Sequence, residues 1–201
     1  MRFVLPATLA FTTIVLAAGC SSGSSGGATP GGGGDDGGTT GSGDGGGSTD
    51  ESAWLAPMNA ARAAVGEKPF TWDPIAAQVA AGYAATCDFA HNPNRNTAYQ
   101  MAGGGSGGLG ENIAAGAPTQ APADAVSSWL SEEGFYDHAS NTCQAGETCG
   151  HYTQIVWSTT TAVGCAHQSC TMNSPFGGFS MWDIDVCDFS PPGNVTGQAP
   201  Y

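Results

Sequence analysis

The sequence predicts one α+β domain carried behind a long flexible tether. Two features of the chain order indicate the class. Apolar residues recur at helical spacing from about Ser52 to Glu133, and β-branched and aromatic runs follow beyond Gly150. A third feature sets the extent: apolar density begins at Ser52 and lasts to Tyr201, about 150 residues, enough for one real core.

A first helix is expected over about Ser52 to Val65, with Leu55, Met58 and Arg62 spaced along it and Gly66 to stop it. Pro57 suits it only in the first turn, where no N–H is needed. The second helix is better signalled: Asp73 can cap it, Pro74 suits its first position, and Ile75, Val79, Gly82 and Tyr83 recur on one face up to Cys87. Residues 91–108 are rich in Asn and Gly and read as a long loop. A third helix is expected from about Pro122 to Glu133, striped by Val126, Trp129 and Leu130 and ended by Gly134. Tyr152 to Trp157, Val163 to His167 and Phe179 to Val186 read as strands.

The N-terminus reads as a signal peptide over residues 1–19. Met1-Arg2 is a minimal positive end, Phe3 to Ala18 is apolar, and small residues precede Cys20. The run is too short and broken for a bilayer span, which needs about 20 apolar residues. A Cys directly after such a segment is the bacterial lipoprotein pattern, so Cys20 is expected to be lipidated; ordinary cleavage to a soluble secreted product is the alternative. Residues 20–51 form the tether. Positions 21–50 hold 14 Gly, 10 Ser or Thr and 4 Asp, which cannot repay the entropy of folding.

Six cysteines remain: Cys87, Cys143, Cys149, Cys165, Cys170 and Cys187. An even set in an exported domain implies disulfides, because that compartment is oxidising. No C-x-x-C pair favours a zinc cluster, and the residues alone leave the pairing open. Four Lys and Arg stand against 17 Asp and Glu, a formal net charge of −13. Such a surface repels phosphate backbones and anionic headgroups, so nucleic acid is excluded as a partner. Membrane contact is expected through the lipid only.

Four stretches carry the chemistry: Cys87-Asp88-Phe89-Ala90-His91, Gly110-Glu111-Asn112-Ile113-Ala114, Trp129-Leu130-Ser131-Glu132, and Cys149-Gly150-His151 running on to Trp157. With Asn59-x-Ala61-Arg62, Trp72-Asp73 and the closing Pro191-Pro192-Gly193-Asn194, they resemble the CAP superfamily of cysteine-rich secretory, antigen 5 and plant pathogenesis-related class-1 proteins. The plant branch fits best, over about residues 52–201. The resemblance implies an α-β-α three-layer sandwich with a central antiparallel sheet. It implies disulfides Cys87–Cys170, Cys143–Cys149 and Cys165–Cys187. It also implies a cleft lined by His91, Glu111, Glu132 and His151, in which His91 and His151 bind Zn2+ in some members and Glu111 or Glu132 is the candidate base. Helical spacing alone would turn Glu133 inward, at about 100° per residue; the Trp-x-x-Glu pattern selects Glu132.

The sequence departs from the plant pattern in places. Leu109 stands where Tyr precedes Gly-Glu-Asn, and Cys187-Asp188-Phe189-Ser190 replaces Cys-Asn-Tyr-Asp, so release of a C-terminal peptide is not carried over. His138 and His167 read as ordinary surface residues. Ser127, Ser128 and Ser131 lack a nucleophile-elbow context, and Gly103 to Gly110 lacks the Lys-Ser/Thr of a phosphate loop.

Three functions compete: a monomeric binding module for an apolar ligand (a sterol or fatty acid) or a cell-surface partner, a scaffold without a ligand, and a zinc-assisted hydrolase. The missing nucleophile ranks binding first.

Overall fold

The computed structural model describes residues 51–201. The expected signal peptide over 1–19, the expected lipidation at Cys20 and the expected tether up to residue 50 lie outside the described residues.

Helix α1 spans Glu51–Ala64 and buries Trp54, Met58 and Arg62 on one face. Pro57 lies inside it rather than in the first turn, so the ring removes one bond from the helix ladder. Glu51, assigned to the tether from sequence, begins this helix. The Arg62 guanidinium is almost fully buried and donates to four backbone carbonyls: Lys68 at 2.6 Å, Ile155 at 2.8 Å, Trp157 at 2.9 Å and Thr160 at 3.0 Å. It also lies 4.0 Å over the Phe70 ring. Desolvation lowers its pKa.

Strand β1 (Thr71–Trp72) leads to α2 (Pro74–Ala84). Asp73 caps α2 as expected, its Oδ1 accepting from the Ile75 and Ala76 N–H groups at 2.9 and 3.1 Å. Within the expected loop, Arg95–Met101 forms a short helix, α3, whose buried residue is Tyr99. Strand β2 (Gly110–Gly116) follows, then α4 (Pro122–Ser131) and a 3-10 turn over Glu132–Phe135. Strands β3 (Tyr136–Asp137) and β4 (Thr142–Cys143) form a small ribbon.

The segment from Tyr152 read as a strand is instead a helix, α5, over Gly150–Ile155. Residues 152–157 are all buried, and a short run buried on every side carries no periodicity to separate helix from strand. A hairpin of β5 (Ala162–Cys170) and β6 (Trp182–Ser190) follows; β5 contains the expected Val163–His167 run and extends it at both ends, while β6 starts and ends later than the expected Phe179–Val186 run.

The main sheet has the order β1-β5-β6-β2. Its β5–β6 and β6–β2 pairings are antiparallel, and the two-residue β1 adds a parallel edge to β5. Side chains alternate across it. Even-numbered β6 residues Trp182, Ile184 and Val186 meet α2 through Ala80 and Ala84. Odd-numbered Cys187 and Phe189 pack with Trp54, Trp129 and Ile155 from α1, α4 and α5. The result is the expected α-β-α arrangement. Gly164 makes the α2 layer close-fitting: a Cβ there would meet the Ala77 nitrogen at 2.1 Å. On the other side, Trp54 and Trp129 stack with centroids 6.4 Å apart.

Disulfides join Cys87 to Cys170, Cys143 to Cys149 and Cys165 to Cys187, the pairs implied by the resemblance. They tie the end of α2 to β5, β4 to the start of α5, and β5 to β6 in register.

Candidate functional site

Two histidine–carboxylate pairs flank the edge strand β2. His91 follows α2, and its Nδ1 lies 2.7 Å from Glu111 Oε1. A carboxylate only accepts, so this contact puts the proton on Nδ1. The same oxygen accepts the Asn92 N–H at 2.9 Å. The His91 side chain is 56% exposed and that of Glu111 only 1%. The pair therefore presents an imidazole to solvent from a buried anchor.

The second pair is built into a helix end. His151 Nδ1 lies 2.5 Å from Glu132 Oε1, while Glu132 Oε2 accepts the N–H groups of His151 at 2.9 Å and Tyr152 at 3.1 Å. Glu132 thus satisfies two of the free amides in the first turn of α5, where a negative group is favoured. Glu133, the alternative from helical spacing, lies 3.4 Å from the Tyr152 hydroxyl instead. Because α4 ends at Ser131, the two glutamates sit in a tighter turn and the α-helical projection fails.

The pairs approach β2 from different faces. Glu111 stands opposite Asp188 in the register, on the face that packs against α2. Its neighbour Asn112 points the other way and donates from Nδ2 to the His151 carbonyl at 3.0 Å. One dipeptide therefore links both pairs. A cavity of about 220 Å³ opens beside the first, lined by His91, Arg95, Glu111, Gln154 and Gly193. Gln154 is buried and receives the Gly193 N–H at 3.0 Å. Gly110 leaves room for it, since a Cβ there would press on the Gln154 side-chain amide. Asn194 pins the loop, giving Nδ2 to Gly150 and receiving the Thr153 hydroxyl.

Each imidazole carries its carboxylate on Nδ1, which leaves Nε2 as the nitrogen available to a ligand or metal. Among the described residues, no group of three or more His, Cys, Asp or Glu side chains is placed to hold a metal ion. Two of the three α4 serines are bonded to their own helix, Ser128 to the Ala125 carbonyl and Ser131 to the Ser128 carbonyl, both at 2.7 Å.

Three features escaped the sequence reading. Asp188, opposite Glu111 on the adjacent strand, is fully buried with both carboxyl oxygens unpartnered. His167 is half-buried, its Nδ1 2.9 Å from Asp185 and its Nε2 3.8 Å from Asp183. Finally, a groove of about 330 Å³ runs between α2 and α3, lined by Gln78, Val79, Gly82, Tyr83, Asn92 and Ala98 among others. Burial, then the nearby charges of Asp88 and Glu111, raise the Tyr83 pKa.

The family model described as the cysteine-rich secretory protein family, CAP, matches residues 55–187. Pathogenesis-related protein 1B of Nicotiana tabacum is 41% identical over 148 residues, covering 71% of this chain and 76% of the relative. Pathogenesis-related protein PRMS of Zea mays is 41% identical over 155 residues, covering 74% and 80%. Among solved structures, NaASP2 with Zn2+ aligns with a TM-score of 0.59 at 24% identity over 80% of this chain and 90% of its own. The venom allergen-like protein 4 of Schistosoma mansoni aligns at 0.54 with 23% identity, over 74% and 91%. At those identities the two structures speak for the fold alone.

Proposed function

This chain belongs to the cysteine-rich secretory protein (CAP) family, and from that premise we propose that it is an extracytoplasmic binding module for an apolar small molecule. The groove between α2 and α3 carries the reading. Its volume, about 330 Å³, falls in the range of ligand pockets, roughly 300–1,000 Å³. Val79, Gly82 and Ala98 supply apolar wall, while Gln78, Tyr83 and Asn92 supply polar groups. A sterol or fatty acid has that division, an apolar body with one polar end.

Binding is favoured over turnover because the α4 hydroxyls of Ser128 and Ser131 are spent on carbonyls of their own helix. His91 and His151 are held by carboxylates. Export by residues 1–19, a lipid on Cys20 and the Gly-rich tether complete the proposal. They leave a monomeric domain standing off a cell envelope, touching the membrane through its lipid. The three disulfides support an oxidising location.

The test is retention of labelled sterol and fatty acid by the full chain and by Val79→Trp, which fills the groove. Wild type should hold one of the two at micromolar concentration, and the variant should lose at least about tenfold in affinity, the scale of one buried side chain's contact energy. Failure of wild type to retain either ligand sinks the proposal.

A second reading concerns a divalent cation, since one structural relative is described with Zn2+. The family pattern offers His91 and His151 for it, each through Nε2, although they approach β2 from different faces and, of the two, His91 lines the cavity beside it. Two imidazoles without a third protein ligand suit a weakly held, exchangeable ion rather than a closed structural site. Such an ion, when bound, would supply Lewis acidity and an acidified water. Calorimetric titration of zinc should give at most weak binding that His91→Ala and His151→Ala each abolish. Binding unchanged in both variants overturns this assignment.

A further inference from the structure

Three buried carboxyl oxygens lack any hydrogen-bond partner: Glu111 Oε2 and both oxygens of Asp188. They belong to directly opposed residues on adjacent strands, since Glu111 pairs with Asp188 in the β2–β6 register. Opposed residues of an antiparallel pair project to the same face with Cβ atoms about 4.5–5.5 Å apart, so the two carboxyl groups share one compartment. Asp188 is fully buried and the Glu111 side chain 1% exposed. Two bare carboxylates cannot share such a space: their repulsion adds to the desolvation of each. One proton removes the conflict and gives two of the three orphan oxygens a partner.

We propose that Asp188 is a positioning residue, kept as a neutral carboxylic acid that donates its proton to Glu111 Oε2. The proton resides on Asp188 because Glu111 is already an acceptor, receiving His91 Nδ1–H and Asn92 N–H on Oε1, whereas nothing donates to Asp188. The charges facing Asp188 come from three elements: Glu111 on β2, Arg95 on α3, and Asp73 at the cap of α2. On β5, the opposed residue Gly164 contributes no side chain. Burial foremost, then Glu111, raise the Asp188 pKa well above the ordinary carboxylate range, with Arg95 opposing. The result is a chain of hydrogen bonds, Asp188 to Glu111 and His91 to Glu111. It fixes the His91 tautomer and leaves Nε2 facing the cavity.

This inference builds on the reading of His91 as a ligand-facing group, but its test needs no ligand. Infrared spectra of the full chain at neutral pH should contain a carboxylic-acid C=O band that is absent from Asp188→Asn and disappears from wild type as pH rises. Because the folded state holds the extra proton, stability should fall with a slope approaching one proton as pH climbs from the ordinary carboxylate range towards the raised value. Asp188→Asn keeps a donor towards Glu111, so it should lose that slope and leave the His91 ring 15N shifts unchanged. Asp188→Leu should move those shifts. Absence of the acid band in wild type overturns the proposal. So does an identical pH slope in wild type and Asp188→Asn. Should Asp188→Asn not fold, the wild-type band and its pH titration still decide. Failure of ligand retention with an intact band would sink the binding proposal alone.

Discussion

Glu132 holds His151 by both ends: one carboxyl oxygen meets the ring Nδ1 and the other takes the backbone N–H. The same carboxylate also receives the Tyr152 N–H, so it both orients the His151 ring and caps the start of α5. The two partners should therefore respond unequally to truncation. Glu132→Ala leaves two partly buried amides and the imidazole without an acceptor, at a cost of about 2–4 kcal/mol by the usual worth of hydrogen bonds to a charged group. His151→Ala leaves the cap intact and should cost about 1 kcal/mol. Urea unfolding of both variants checks the order; equal losses would refute the capping role.

Arg62 is the next prediction. Its charge is buried among carbonyls from the 66–70 loop, the end of α5 and the turn after it. Arg62→Ala strands those four acceptors and opens a cavity under the Phe70 ring, so a loss of about 3–5 kcal/mol is expected. Arg62→Lys keeps the charge but not the planar fork, and should still lose about 2 kcal/mol. Thermal unfolding monitored by circular dichroism would measure both.

How far the sequence anticipates this molecule follows from where each signal originates. Helix α2 is legible because its cap and first-turn proline are local, and Asp73 does what its position implies. Helix α5 is not, because its start depends on a carboxylate 19 residues away. Helix α3 buries Tyr99 but presents no apolar stripe, and β2 is mostly small residues, so neither rises above its loop-like composition. At the site, the motif pattern found Glu132 where periodicity favoured Glu133, since the helix ends before either. Asp188 escaped notice because a charged residue at the end of a strand-like run gives no sign that its opposite neighbour is another acid.

The disulfides should differ in worth by the loops they close. Cys87–Cys170 spans 83 positions and Cys143–Cys149 only 6. In the chain-entropy account the longer closure restricts the unfolded state by about 2 kcal/mol more. Paired Cys→Ala variants compared by denaturant midpoint at constant m-value should show the larger loss for Cys87 with Cys170. The reverse order would mean that Cys143–Cys149 acts mainly on the folded state, by fixing the start of α5.

His167 supplies the pH-dependent prediction. It stands opposite Asp185 in the β5–β6 register, with Nδ1 2.9 Å from that carboxylate and Asp183 farther off at 3.8 Å. The two aspartates are otherwise engaged by Gln120, through its backbone N–H at 2.7 Å to Asp183 and its side-chain amide at 2.8 Å to Asp185. The hydrogen bond to Asp185 is the largest cause raising the His167 pKa, with the charges of both aspartates adding to it and partial burial opposing. A folded-state value above the unfolded one means that the folded protein holds the proton more tightly. The stabilisation is thus complete below the unfolded histidine value, about 6.5, and is lost as pH rises through the folded value. His167→Gln removes the titration and keeps a donor to Asp185. It should flatten the stability profile across that window and converge with wild type at its alkaline end. Melting temperatures measured across neutral pH test this directly; a wild-type profile that rises through the window, or one that His167→Gln leaves unchanged, would contradict it.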